Sequence, residues 1–360
     1  MFCHDTEILT RKGFKPISRI EKNEKILVKN PSTSQSRWAN SKDIVQTPYS
    51  GEIHYFKTRY WESPRFTPNQ FMWTTTIKQH MGGVDEMSKV CERIPYSHVW
   101  RKHIVLDHKV KLNQKNNSED TTIGSYDYNQ LTLYYWLGIV ATDGHLTKKD
   151  AAIIITQCKD HNISEISRVM DILFPGRWKQ YSYDRETNKI HYFTIYDSIL
   201  YRWALNKINR IKKERRLINI FDDHPRLLNQ FMMGALLGDG WENKETNSVG
   251  LFCGVSEDLA KDYQAIMSFL SRRTNLIIKD QRGKTTTIQT KKGVQTITSK
   301  NIMYKLSIHG EGASTAQRKH HIKEEYKGNV YSPVTKEGLV FVRRRGMAFW
   351  SGSIQEEEQW

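Results

Sequence analysis

The chain has 360 residues, enough for two ordinary domains or one large domain carrying an insert. Its 55 Lys and Arg outnumber 39 Asp and Glu, a formal charge of +16, and 38% of its residues are hydrophobic, above what a disordered chain carries. These figures exclude a solvating tail protein and point to a polyanionic partner, nucleic acid ahead of an anionic membrane surface.

No run approaches the roughly 18 apolar residues that a membrane span needs. The start, Met1 to Glu7, lacks both the basic and the apolar region of a secretory signal. Cys3, Cys91, Cys158 and Cys253 are widely spaced with no C-x-x-C pair, so neither a zinc site nor a secreted disulfide framework is expected. The expectation is a cytoplasmic protein with no membrane contact.

Residues 1 to 125 read as short strands bounded by Pro, Asn, Ser and Gly: Glu7–Thr10, Phe14–Ile17, Lys25–Val28, Glu52–Phe56 and Phe71–Trp73. From residue 126 the pattern changes. Tyr128 to Val140 is an apolar and aromatic run long enough for a buried helix, and it leads to Asp143-Gly144. A β-branched strand (Ala152 to Gln157), a helix (Ser164 to Phe174), a basic and aromatic strand pair (Trp178 to Tyr196) and a helix from Ile199 follow. The pattern then restarts. A helix from Leu228 to Leu237 leads to Asp239-Gly240, followed by a strand (Val249 to Val255), a helix (Asp258 to Leu270) and a polar two-strand stretch (Ile277 to Ile308). The two Asp-Gly steps lie 96 residues apart, too far for a solenoid unit but right for two halves of a pseudo-two-fold domain.

After residue 328 short strands return at Asn329–Tyr331, Leu339–Val342 and Met347–Trp350. We therefore expect residues 126–327 (halves 126–225 and 226–327) to be inserted into a β domain made of 1–125 and 328–353, with an acidic tail at 354–360.

The two helix ends carry the sharpest signal. Gly138 precedes Asp143 by five residues, as Gly234 precedes Asp239, and Gly138 with Thr142, or Gly234 with Gly238, fall on one helix face. Small residues on one face let two backbones approach closely. Such packing sets Asp143 and Asp239 side by side, where two carboxylates repel unless a cation lies between them. Oxygen ligands select a hard divalent ion, Mg²⁺ (or Mn²⁺), which accepts phosphate oxygens and supports phosphodiester cleavage.

Leu137-Gly138-Ile139-Val140-Ala141-Thr142-Asp143-Gly144 and Met233-Gly234-Ala235-Leu236-Leu237-Gly238-Asp239-Gly240 resemble the two signature helices of LAGLIDADG homing endonucleases. The resemblance covers residues 126–327. It implies an α+β fold of two αββαββα halves in a monomer that cuts both strands of DNA at a long, partly degenerate site. It further implies metal held by Asp143 and Asp239 with the carbonyls of Thr142 and Gly238, and water placed by Gln157. Ser256 or a neighbour stands at the corresponding place in the second half. A basic residue that assists near the close of each half matches Lys212 or Lys213, and Lys319.

Alternating polar and basic side chains on strand pairs suit the major groove. The first half offers Arg177, Lys179, Gln180, Tyr181, Arg185, Lys189 and His191, and the second offers Lys279, Arg282, Lys284, Lys291, Lys292 and Lys300. Lys207, Arg210, Lys212, Lys213, Arg215 and Arg216 suit phosphates.

The flanking segments resemble the Hint fold of inteins, phage-type, in Asp5–Thr10 with Gly13–Ile17, in Phe66–Asn69, in Val330-Tyr331 and in Val340–Gly352. Splicing requires a nucleophile, an activating histidine and a terminal asparagine. Those slots hold Met1, Gln70 and Ser353, none of which can do that work near neutral pH. With Met1 taken as the first residue there is also nothing upstream to splice. The expectation is a splicing-inactive Hint domain, either a scaffold or an accessory DNA surface through Arg343, Arg344 and Arg345, of a phage-encoded protein in a bacterial host. A LAGLIDADG-derived binding protein without cleavage, either an RNA maturase or a DNA-bound regulator, is the alternative.

Overall fold

The computed structural model describes all residues except 60, 77–91, 96–103, 108, 113–119, 185–188, 212–213, 244–247, 291–292, 310–313 and 356–360. Arg185, Lys212, Lys213, Lys291 and Lys292, named above, lie outside the described residues, as does the tail beyond Gln355. The architecture is mixed α and β. No helix among the described residues is long and apolar enough to cross a membrane.

The chain divides into two units, Met1–Gln114 with Gln264–Leu276 and Ile308–Trp360, and Lys115–Tyr263 with Ile277–Ser307. These bounds differ from those read in the sequence. The hairpin Asp120–Ile123 with Tyr126–Asn129 belongs to the second unit, whereas Gln264–Leu276 and the stretch from Ile308 belong to the first.

In the first unit, alternating apolar residues build strands because one face of each must leave water. Asp43–Phe56 pairs antiparallel with His321–Thr335 over its whole length, from His321↔Phe56 to Val334↔Asp43. A second sheet runs Glu7–Thr10, Leu339–Arg344, Met347–Gly352, Phe71–Thr76, with Lys25–Lys29 beside the first two. Phe2, Ile8, Ile26, Phe56, Phe66, Val342 and Phe349 form its dry core. Leu339–Arg344 is buried at every residue, including Arg343 and Arg344.

The second unit contains five helices among its described residues and those it shares: α1 (Gln130–Asp143), α2 (Asp160–Leu173), α3 (Ser198–Lys207), α4 (Pro225–Asp239) and α5 (Glu257–Phe269). Asn129 caps α1 by accepting the Thr132 N–H, and Leu133 through Thr142 are buried apart from Tyr135. A helix apolar on nearly every side is buried on nearly every side. His224 caps α4, with Pro225 preset for the first turn. Each of these helices feeds a four-stranded sheet. The first runs Gly144–Thr147, Ala152–Gln157, Lys189–Tyr196, Trp178–Asp184, and the second Gly240–Asn243, Ser248–Phe252, Ile302–Ile308, Thr274–Asp280. The register repeats as well, with Gly144 opposite Ile155 and Gly240 opposite Leu251.

Candidate two-carboxylate site

The seam between α1 and α4 is set by glycine. A Cβ on Gly138 would lie 2.0 Å from the Phe231 carbonyl oxygen, and one on Gly234 would lie 1.9 Å from that of Tyr135. No other residue permits this approach. One turn on, a Cβ on Gly238 would meet Thr142 Oγ1 at 2.1 Å and Asp143 Oδ2 at 3.0 Å. Tyr135 and Ile139 lie against Gly234, and Thr142 lies against Gly238, so the helices run parallel. Their terminal residues, Asp143 and Asp239, therefore come to the same end, with the Asp143 carboxylate against the last turn of α4.

Gln157 closes the strand after α1. Its Nε2 donates to Asp143 Oδ2 at 2.9 Å, while its Oε1 accepts from the backbone N–H groups of Cys158 and Lys159. The amide is thus held at both ends, and Asp143 is aimed by it. In the second half the register puts Cys253, not Ser256, at the corresponding place, since Gln157 stands two residues past Ile155 and Cys253 two past Leu251. Ser256 does other work, because its Oγ accepts from Leu259 N at the start of α5 and donates to the Arg215 carbonyl. The Cys253 thiol is buried, and burial first, then the nearby Asp239 carboxylate, pushes its pKa up. The halves are therefore chemically unequal beside their acids, amide against neutral thiol.

Arg215 is a basic residue whose part the sequence does not reveal. It is fully buried, and Nη1 donates to the carbonyls of Val140, Ala141 and Gly144 at 3.1, 2.9 and 3.1 Å, satisfying carbonyls at the buried end of α1. Burial lowers its pKa, while Tyr263 and Asp239 favour the charged form. This side chain meets helix carbonyls, not the phosphates expected of it. Next to it Arg216 pairs with the buried Asp262. No sequence periodicity marks a residue in a loop as a helix cap from a distance of 70 residues or more. Asn162, also unforeseen, is buried and donates to the Leu237 carbonyl at 2.8 Å. Lys319 lies in a short 3-10 turn, Arg318–His320, of the first unit, so it is not among the residues that the second unit gathers.

The proposed reading strands divide by alternation. Tyr181, opposite Tyr192 and stacked on it at 5.2 Å, shares a face with Lys179 and Tyr183. Gln180 and His191 lie on the other face, bonded to each other at 2.9 Å, as does Lys189. Arg177 is committed to structure, since it pairs with Asp197, donates to Tyr128 and lies over the Tyr126 ring. In the second half Lys279, Lys284 and Lys300 are exposed, and Arg282 is exposed but tied to Asp280. Lys305, not singled out from sequence, sits 3.3 Å from the ring centre of Trp241, itself two residues after Asp239.

In the first unit Met1, Gln70 and the Gly352-Ser353 step, read from the sequence as degenerate splicing slots, come together. The Met1 nitrogen donates to Gln70 Oε1 at 2.7 Å and Thr67 Oγ1 at 2.8 Å. Gln70 Nε2 donates to the Gly352 carbonyl at 2.6 Å, next to Ser353, whose hydroxyl meets Thr335 Oγ1 at 2.7 Å. The accessory arginine surface is corrected. Arg343 pairs with Glu7, and Arg344 with Asp5 and Glu62, both side chains only 2% exposed, which leaves Arg345 alone outside.

No family model matches this chain, and no curated protein matches it. Among solved structures, it is similar to mesophilic variants of the homing endonuclease I-DmoI, at a TM-score of 0.34 and 17% identity over 50% of this chain and 89% of that one. It is also similar to I-DmoI in complex with DNA and Ca, at 0.34 and 17% over 50% and 83%, and to full-length WhiA from Thermatoga maritima, at 0.33 and 14% over 54% and 53%.

Proposed function

We propose that the second unit is a metal-dependent endonuclease for a long target in double-stranded DNA. The first unit is then a Hint-like remnant that no longer splices, in a phage-type protein of a bacterial cytoplasm. The observation that carries the reading is the parallel, glycine-sealed seam that presents Asp143 beside the last turn of α4, whose terminal residue is Asp239.

Among the described residues no cluster of three or more His, Cys, Asp or Glu side chains forms a protein cage for a metal. The donor set at the seam fits a different kind of ion site. Two carboxylates, and the carbonyls of Thr142 and Gly238 within the last four of each helix, are hard oxygen donors of the sort that suit Mg²⁺ or Mn²⁺ holding several waters. When bound, such an ion lowers the pKa of a water and stabilises the departing oxygen of a phosphodiester. The chain's own residues do the positioning. Gln157 fixes Asp143 and keeps a second Nε2 hydrogen to orient a water. Arg215 holds the end of α1, and so the direction in which Asp143 points. The net positive charge, concentrated in 277–307, where Asp280 is the single acid, supports a polyanionic substrate.

The Hint reading is supported by the meeting of Met1, Gln70 and the Gly352-Ser353 step, the arrangement a splicing centre would require, occupied by residues that cannot react. The rival function, nucleic-acid binding without cleavage, draws its support from the thiol that stands where a second polar group would serve Asp239.

The test uses duplexes selected from random DNA for binding to the full chain. With Mg²⁺ the chain should linearise plasmids carrying the selected site, whereas Asp143→Asn and Asp239→Asn should each abolish cutting and keep binding, because an amide is a poor ligand of nearly the same shape. Binding with no nick in either strand makes the rival correct, and no DNA binding at all overturns the whole reading.

A further inference from the structure

The strongest asymmetry between the halves is a two-stranded ribbon, Thr285–Thr290 with Gly293–Thr298, which pairs with neither four-stranded sheet. In the first half the corresponding connection, between Asp184 and Lys189, is only residues 185–188. Thr285, Thr286, Thr287 and Val294 through Thr298 are all exposed, with Val294 at 68% and Ile297 at 51%. A solitary hairpin with no covered face is marginal in water. This one is nevertheless rich in β-branched residues, whose methyl groups gain by leaving water.

Its register sorts the side chains. Thr285 faces Thr298 and Thr287 faces Thr296, so four threonines and Val294 share one face. The base of the ribbon is ringed by exposed Lys279, Arg282, Lys284 and Lys300, and Asp280 is tied to Arg282. A basic collar fits phosphates. Methyl groups in rows fit the one apolar group on a base edge in the major groove, the C5-methyl of thymine, and a two-stranded ribbon is narrow enough to enter that groove. Six residue pairs extend roughly 20 Å, the rise of about six base pairs.

Building on the endonuclease reading, we infer that this ribbon is a thymine-reading arm that lengthens the half-site on the Asp239 side, making the target lopsided. Thr285, Thr287, Thr296 and Thr298 present methyl groups to thymine methyls and hydroxyls to adjacent base edges. The first half has no such arm and reads a shorter stretch.

The experiment uses the full chain and duplexes selected for binding to it. Replacing thymidine with deoxyuridine in the Asp239-side arm removes only C5-methyl groups, and affinity should fall roughly fourfold for each methyl that the ribbon covers, the factor that burial of one such group gives. The quadruple Thr285→Ser, Thr287→Ser, Thr296→Ser, Thr298→Ser variant keeps every hydroxyl and should bind thymidine and deoxyuridine arms within about twofold of each other. In a second variant an Asn-Gly turn replaces residues 285–298, a closure that the Ser299 N–H to Lys284 carbonyl bond at 2.8 Å makes feasible. Its footprint should shorten by about six base pairs on that side only. Equal affinity of the unaltered chain for both arms, or a footprint unchanged by the deletion, overturns the inference and leaves the endonuclease reading standing. If the unaltered chain selects no duplex, the endonuclease reading fails as well.

Discussion

Gly234→Ala is the most direct test of the helix seam, because its sign alone separates two pictures. On an exposed helix face, exchanging glycine for alanine stabilises by about 1 kcal/mol through backbone entropy. At this position the new Cβ would lie 1.9 Å from the Tyr135 carbonyl oxygen and 3.2 Å from Ile139 N. An ordinary carbon–oxygen contact needs about 3.3 Å, so the helices must part by about 1.4 Å at that point. Overpacking of this kind costs roughly 1–3 kcal/mol or more, enough to overcome the propensity gain. Both clashing groups are backbone, which cannot swing aside, so the cost falls at the upper end of that range, about 2–3 kcal/mol. We therefore expect a net loss of about 1–2 kcal/mol, read as a lower urea midpoint at unchanged slope. Asp143 and Asp239 ride on these helix ends, and a shift of about 1 Å in a reacting geometry can cost about a hundredfold in rate. Cleavage should fall by that order. Met233→Ala, one residue away on the exposed side of α4, is the control and should lie within about 0.5 kcal/mol of the parent. A Gly234→Ala chain as stable as the parent, cutting at the parental rate, refutes the close-packed seam and the site built on it.

Arg215→Met strips three buried carbonyls of their donor and should cost roughly 2–4 kcal/mol, with Arg215→Lys recovering part of it because an ammonium cannot span all three. Gln157→Ala should slow cutting of one strand roughly 10- to 100-fold while the other proceeds, so nicked plasmid accumulates; equal slowing of both strands would rule out a role confined to Asp143. In the first unit, burial first, then His54 and Lys323, holds the His321 pKa down at about 4, and the ring lies 3.1 Å from His54 Nδ1. A depressed pKa means stability present above the ordinary value of 6.5 and lost as pH falls through about 4. Melting of that unit should weaken across this interval, and His321→Gln should flatten the slope; an unchanged slope would place the acid sensitivity elsewhere.

The parts of the fold with a local signature are legible in the sequence. Apolar runs that end in Asp-Gly mark α1 and α4, and matched glycines mark the parallel seam, because a close backbone approach leaves few residue choices. What escapes a sequence reading depends on partners far along the chain. Asp43–Phe56 shows as a strand only from Glu52, since its polar first half is held by His321–Thr335, nearly 300 residues later. Arg343 and Arg344 resemble surface charge because their carboxylates sit at Asp5, Glu7 and Glu62. The basic and polar strand residues do not share one surface, because a period of two sends Tyr181 and Gln180 to opposite faces. Polarity favours Ser256 over Cys253, yet the register across the second sheet, and not side-chain polarity, fixes the position equivalent to Gln157.

The long pairing of Asp43–Phe56 with His321–Thr335, and the ion pairs from Arg343 and Arg344 back to Asp5, Glu7 and Glu62, also set an order of assembly. During synthesis the first hundred residues leave the ribosome without the strands and cations that complete them. The stretch from Lys115 to Tyr263 emerges with both α1 and α4 already present. The second unit can consolidate while the amino-terminal strands still wait as open edges. Emergence of His321–Gly352 then supplies the strands that pair with Asp43–Phe56 and Glu7–Thr10.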